Sequence, residues 1–405
     1  MAISYAVGQR QYDTRSGRII PNVLPMIMQV DPDLNEAGFL FFMSKLGVET
    51  TKQEKFTWDV DDWAARSDTT AAAVTAAATW ADVTTVARWI PGEIWLNKRT
   101  GEFVWVKSVS RGEGRVELVR GLTAQNSSGG TAAAAMNSGD TLIRINPLVG
   151  EDNRRQTTRT TVPEEIYNYT MAMRKDIAMS RRQIKREFVN DNEWSYQEKK
   201  AMQEFRMEIN AALLVNQRAR YTDPTMGDVT VSGGIRSAIT TYSATASGTL
   251  YEYDFDQALM NKGFRRGSRK KLGVFSTAMI LAISEMTKDR VVYDIPLTSK
   301  EGSAGITVMV YKAPNGGELM IAEDRFLSDN LNGEGFIVDP TQLKRKVFSN
   351  NGINDDLHMQ LNTQDDDDPG RDATFYGDIG LFYGVESHHM KWSGVSGGAK
   401  GRSIA

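Results

Sequence analysis

The side chains whose types could do chemistry in this chain are three histidines, a run of four aspartates and two clusters of basic residues. His388 and His389 are adjacent. In a strand, adjacent side chains point to opposite faces, so the pair cannot easily ligate one metal ion together, and an ordinary core or surface pair is the plainer reading. His358 stands alone and is read the same way. Asp365–Asp368, followed by Pro369 and Gly370, could attract a hard cation such as calcium. A calcium loop of the EF-hand type counted from Asp365 or Asp366 would need Glu at its twelfth position, where Tyr376 or Gly377 stands. A solvated, self-repelling loop is expected there instead.

Phosphate-binding and nucleophile motifs give no better lead. Neither a Walker A string nor a G-x-G-x-x-G string occurs, and no nucleophile elbow is expected. The chain contains no Cys, which excludes disulfides, thiolate metal sites and cysteine nucleophiles. Residues 154–186 form the most basic stretch, with Arg154, Arg155, Arg159, Arg174, Lys175, Arg181, Arg182, Lys185 and Arg186 against Glu164, Glu165 and Asp176. A second cluster comprises Lys262, Arg265, Arg266, Arg269, Lys270 and Lys271. Tyr167, Tyr169 and Trp194 near the first cluster suit base stacking or, more simply, apolar faces. Asn168-Tyr-Thr170 matches a glycosylation sequon only by chance. The expectation is no catalytic residue, no cofactor and no metal ion, and hence no enzyme.

The elements that would position such groups belong to a packed protein. Of its 405 residues, 40% are hydrophobic and 24% charged, a soluble globular balance in a chain long enough for two or three lobes. Its 48 basic and 51 acidic residues give a formal charge of −3, unlike a dedicated nucleic-acid binder. The first residues lack the charged head and apolar core of a signal peptide, and no apolar run approaches the roughly 20 residues of a membrane span.

Residues 1–30, broken by Gly8, Gly17, Pro21 and Pro25, read as an extended arm. A short helix follows Asp33 and closes at Gly47, and Phe56, Trp58 and Val60 share one face of a strand. The Ala- and Thr-rich stretch 69–79 and the stretch 126–135 read as loops. Glu93–Leu96, Phe103–Val106, Val116–Val119 and Leu142–Ile145 read as strands joined by Gly-bearing turns, an all-β barrel or sandwich over 82–147. In the return segment 148–193, Ile166, Tyr169, Met173 and Ile177 favour helix while Thr157–Val162 favours strand. Ser195 and Glu198 form a capping box for a long helix over 196–218, whose apolar face carries Met202, Phe205, Ile209, Ala212, Leu213 and Asn216. Asp254 and Gln257 begin another helix, Ser276 caps a third, and Asn315-Gly-Gly317 is a hairpin turn. Further strands are expected near 335–339, 343–348 and 375–386, making 235–405 an α+β lobe.

This order of parts, an extended arm, a β-rich excursion, a return segment, a long capped helix and an α+β lobe, resembles the major capsid proteins of tailed bacteriophages. The strings Thr161–Thr170, Asp176–Ser180 and Phe205–Leu214 carry the resemblance most closely, within about 155–290. It implies an α+β, Hong Kong 97-type capsid fold with 1–30 as N-arm, 31–81 as a short helix and first E-loop strand region, 82–147 as a β-domain inserted in the E-loop and 148–193 as its return. Residues 194–234 would hold the spine helix and part of the peripheral domain, and 235–405 the axial domain with peripheral strands.

The resemblance further implies a structural subunit that assembles with copies of itself, as hexamers and pentamers, into an icosahedral head around double-stranded DNA. It would be assembled in the host cytoplasm and reside in the virion. Its other partners would be scaffolding, portal and cement proteins and, without sequence preference, the packaged DNA, but no membrane. Two rival readings are an encapsulin-like compartment shell and a glycan-binding tail protein that uses Trp89, Trp95 and Trp105.

Overall fold

The computed structural model describes residues 38–122, 131–148, 160–186, 193–225, 227–286, 309–350, 353–363 and 369–402. The expectations for the N-terminal arm, for Asp33 as a cap, for Arg154, Arg155 and Arg159, and for Asp365–Asp368 lie outside these residues. The chain divides into two compact units, one made of residues 59–166 and the other of residues 1–58 with 167–405.

The 59–166 unit is a small antiparallel barrel. Its strands run in the order Ser67–Thr69, Thr141–Pro147, Glu93–Asn97, Phe103–Ser110, Arg115–Val119 and Trp80–Asp82. The first and last strands meet through a Thr70–Val83 bridge, with Ala71 N donating to Asp82 O (2.8 Å) and Thr84 N to Thr69 O (2.9 Å). Closure leaves the sheet no open edge. The unit is wider than the expected 82–147 because two three-residue strands flank the Ala- and Thr-rich stretch. Strands that short carry no readable alternation.

Trp89 and Trp95 stack face to face at 3.9 Å in the barrel core, among Val104, Val106, Leu118 and Leu142. Trp105 alternates with Val104 and Val106 on the same strand and so takes the opposite, half-buried face.

In the larger unit, one six-stranded sheet runs Val48–Thr51, Lys344–Asn350, Arg371–Phe382, Met171–Met179, with the short strands Ile353–Asn354 and His358–Leu361 beside it. The other runs Ser243–Tyr251, Met390–Ala399, Gly335–Val338, Lys270–Phe275, Glu318–Glu323, Met309–Lys312. Between the last two of these strands lies the expected turn, with Ala313 N donating to Gly317 O (2.8 Å). The helix Thr277–Met286 packs on Met390–Ala399, where a Cβ at Gly398 would come within 2.1 Å of Ala282 O, so only glycine permits the approach. This core joins Phe255, Phe275, Met279, Ile283, Tyr311 and Trp392.

Where helix and strand signals competed, the return segment is strand: Glu164–Tyr169 and Met171–Met179, followed by the short helix Arg181–Ile184. Tyr169, Met173 and Ile177 are four residues apart, and four is a multiple of both the strand period and, approximately, the helical one. Pairing with Arg371–Phe382 decides the matter, and odd-numbered residues from Met171 to Met179 then face inward.

The long helix is Glu193–Val215, about 34 Å at 1.5 Å per residue. It begins before Ser195, so the expected capping box lies inside the helix rather than at its start. At its other end the carbonyl of Asn216 accepts from Gly234 N (2.8 Å) and Ser237 Oγ (2.7 Å), which ties the segment after the 219–231 hairpin to the helix end. Ser276 does not cap its helix either. Its hydroxyl accepts from Gly333 N (2.9 Å), and the first helical amides, of Thr277 and Ala278, bond Ser328 Oγ and Asn332 Oδ1.

Phe205 stacks on Phe375 of the first sheet at 6.2 Å, and Ile209 and Leu213 are fully buried. Replacing Ile209 and Leu213 together with Asp would bury two unpaired carboxylates, each costing several kcal/mol. The expected outcome is loss of soluble, folded protein, measured by expression and circular dichroism.

Candidate functional site

The histidines are held by local structure. His389 is 1% exposed; its Nδ1 accepts from Asp339 N (3.1 Å) and its Nε2 lies 2.7 Å from Tyr383 O, to which it donates in the neutral tautomer this requires. Both ring nitrogens are therefore used, and none is left for a metal. His388 closes the short turn Glu386–His388, not a strand. His358 Nδ1 meets Asp356 O at 2.6 Å and its ring stands edge-on to Tyr376. Among the described residues no group of three or more His, Asp or Glu could hold a metal ion.

A G-x-S-x-G string does occur, at Gly394–Gly398, and the sequence reading passed over it. It lies within the strand Met390–Ala399 instead of at a strand-to-helix turn, and Ser396 Oγ donates to Gly248 O (3.1 Å).

His389 belongs to a buried polar node. Lys271, fully buried, donates through Nζ to Arg266 O (2.9 Å) and to His388 O. Asp339 accepts from Ser268 N (2.6 Å) and from Thr341 N and Oγ1 (3.0 and 2.7 Å). Burial alone would raise the Asp339 carboxyl, but these donors and the nearby Lys271 ammonium outweigh it and hold the group below the usual range. Burial lowers Lys271 to about 8 and His389 to about 4. The basic cluster 262–271 is thus largely absorbed by its own unit: Lys262 Nζ bonds Ser243 O, Arg269 Nη1 bonds Asn315 O (2.8 Å) and Lys270 pairs with Glu318 (3.3 Å).

A second node was not foreseen. Asp324, fully buried, accepts from Phe39 N (3.1 Å), Asn210 Nδ2 (2.9 Å) and Leu327 N (3.3 Å), while Asn210 Oδ1 accepts from Leu40 N (2.9 Å). Three helices, Gly38–Leu46, Glu193–Val215 and Arg325–Asn330, are joined at one carboxylate. Burial raises the Asp324 carboxyl, opposed by the Asn210 amide and the surrounding backbone N–H groups. Gly38 lets the first helix approach, since a Cβ there would lie 2.8 Å from Glu323 O. The available signal was Asn210 itself, a polar residue directly after Ile209 on the inward face.

Asn168 makes a third node. Its Nδ2 donates to Leu381 O (2.8 Å) and Gly233 O (3.1 Å), and its Oδ1 accepts from Gly233 N (2.8 Å) and Tyr169 N (2.9 Å). At 1% exposure the residue is closed to glycosylation. The neighbouring aromatics are also engaged: Lys55 and Arg218 lie over the Tyr167 ring at 4.4 and 4.2 Å, and Arg371 covers Trp194 at 4.4 Å. Neither ring is free for a base.

In the barrel, the buried pair Arg120–Glu102 is bidentate at 2.8 Å, and Arg120 Nη1 also bonds Thr75 O (3.1 Å). Arg99 bonds Asp140 (2.8 Å) and Ala135 O (2.7 Å), and with this partner Asp140 falls to about 2. These arginines hold the biased stretch 131–135 as an ordered loop. Trp89 and Trp95, both fully buried with Nε1 bonded to Asp68 Oδ2 (2.7 Å) and Glu93 Oε2 (3.3 Å), cannot stack on sugars.

A family model described as SU10 major capsid protein matches residues 7–396. No curated protein matches the sequence. Among solved structures, the capsid of an empty GTA particle is similar at 10% identity and TM-score 0.46, covering 97% of this chain and 100% of that one. The capsid of Myoviridae phage XM1 is similar at 12% identity and TM-score 0.41, over 62% and 81%. The SrpI encapsulin of Synechococcus elongatus is similar at 10% identity and TM-score 0.42, over 61% and 81%.

Two changes test the nodes. Asn210→Ala removes one donor from Asp324 and strands Leu40 N, and should cost about 2–4 kcal/mol in denaturant unfolding. His389 has a folded value near 4 against an ordinary 6.5, so the unfolded chain takes the proton first, and its stabilisation is complete above about pH 6.5 and lost as pH falls toward 4. The loss is about 3 kcal/mol. In His389→Gln the glutamine keeps a donor and an acceptor but does not titrate, so the stability gap to the parent should narrow by that amount between pH 7 and 4.

Proposed function

The chain belongs to the SU10 major capsid protein family, and we propose that it builds the icosahedral head of a tailed phage around double-stranded DNA. The observation that carries this reading is the family match, which spans residues 7–396 rather than one lobe. As a capsid protein it is a shell subunit of the virion that packs against copies of itself.

The finer reading assigns roles to the parts. Residues 1–30 act as the N-arm and about 50–180 as the E-loop carrying the barrel. The helix Glu193–Val215 is the spine, and the two six-stranded sheets belong to the peripheral and axial regions. A long helix pinned through Asn210 and through the Asn216 carbonyl just past its last turn suits a strut that transmits load between neighbours. Extended segments bury too little surface alone and gain stability by lying on other subunits. Repetition of such contacts around closed symmetry makes hexamers, pentamers and shells. Assembly takes place in the host cytoplasm, with scaffolding, portal and cement proteins as further partners and non-specific contact with the packaged DNA.

The protein acts without catalysis in this reading, since the histidines and the G-x-S-x-G serine have structural bonds and settings unsuited to turnover. Among the described residues no helix is long and apolar enough to cross a membrane.

Electron microscopy of the expressed full chain should show closed shells, and nucleic acid rather than protein cargo should fill shells purified from infected cells. A purified chain that stays monomeric at high concentration would overturn the reading. Deleting residues 1–25 should leave a folded subunit that assembles poorly; normal shells from that truncation would remove the arm from the assignment.

A further inference from the structure

The two basic clusters of the sequence meet different fates. The cluster at 262–271 is bonded within its own unit, as described above. In the other, Arg181, Arg182, Lys185 and Arg186 occupy the short turn of helix Arg181–Ile184 and the residues after it, and every residue from 181 to 186 is exposed. Among the described residues, none of these four side chains has a carboxylate partner. Arg181 and Lys185 stand at i, i+4, where like charges repel, so the turn is held against its own electrostatics. An external anion would relieve that repulsion.

We propose that Arg181, Arg182, Lys185 and Arg186 form a contact patch for the phosphate backbone of duplex DNA. The inference rests on the capsid reading and narrows it, from general contact with the packaged genome to one segment. Recognition of a carboxylate on a protein surface relies on guanidinium groups held in a fixed fork. Among the described residues these side chains have no carboxylate partner that would fix them. Four loose cations on about 9 Å of chain instead suit a rod carrying one negative charge per ~1.7 Å of axis, where charge density alone gives affinity. The chain as a whole is mildly acidic at −3, so binding would be local, weak and sensitive to salt.

The test compares the full chain with R181Q/R182Q/K185Q/R186Q by fluorescence anisotropy on a 30-base-pair duplex, in unassembled protein, between about 50 and 200 mM salt. Circular dichroism and electron microscopy of shells are recorded on the same preparations. If all four cations engage phosphates, the slope of log K against log salt should be shallower in the variant by about 3 to 4, with shells and folding unchanged. Across that salt range the parent should lose about 100-fold more affinity than the variant. An equal slope in both proteins, or no duplex binding by the parent, overturns the proposal. So does a variant that binds DNA as the parent does but no longer forms shells, which would assign the cations to an acidic face of a second copy. Failure of the parent to form shells would count against the capsid reading by itself, because the anisotropy slopes are measured without assembly.

Discussion

A buried carboxylate must be surrounded by donors, and the larger unit is organised around that requirement at Asp324. The group has no access to water, so every lone pair must be met by an N–H that some other element brings to it. Those elements are the first described helix, through Phe39, the long helix, through Asn210, and the turn that Asp324 itself caps, through Leu327. None of the three can shift without leaving a donor or acceptor unpaired. Apolar packing of Phe205, Ile209 and Leu213 supplies much of the burial energy, but it tolerates sliding. The Asp324 node does not, and it sets the position of the long helix along its axis.

The same logic recurs where the chain returns from the barrel. Asn168 ties the strand Glu164–Tyr169 to the 232–234 loop and to Arg371–Phe382 through both ends of its amide. Within the barrel, Arg99 and Arg120 bond the carbonyls of Ala135 and Ala134, in a stretch made almost wholly of Ala. Asp324, Asn168, Arg99 and Arg120 are therefore structural pins. A shell subunit needs that kind of interior, because contacts with neighbours act on elements that would otherwise deform.

This also accounts for how His358 and His389, which first suggested chemistry, are engaged by backbone groups. Catalytic groups need unsatisfied capacity facing a cleft. The polar atoms of His389, Lys271 and Asp339 are engaged by backbone groups and by Thr341, and the depressed values of His389 and Lys271 follow from burial. The basic groups at 181–186, which have no carboxylate partner among the described residues, are at the surface, where they can meet another molecule.

Much of the secondary structure was legible in the sequence because its signals are local. The long apolar periodicity around Phe205–Leu213, the Gly-bearing turns of the barrel and the Asn315-Gly-Gly317 hairpin each involve residues a few positions apart, and backbone geometry responds to them directly. The absence of Cys and the balanced charge likewise limited the chemistry before any fold was considered. Tertiary structure decided the rest. A four-residue spacing at Tyr169, Met173 and Ile177 fits strand or helix until a partner strand appears, and three-residue strands close the barrel only because other strands present the matching edges. Phe39 and Asp324 meet across 285 positions, a pairing that no local pattern encodes. Burial is a property of the whole packed chain, so which polar residues would become pins and which cations would stay free could be settled only once the fold had enclosed them.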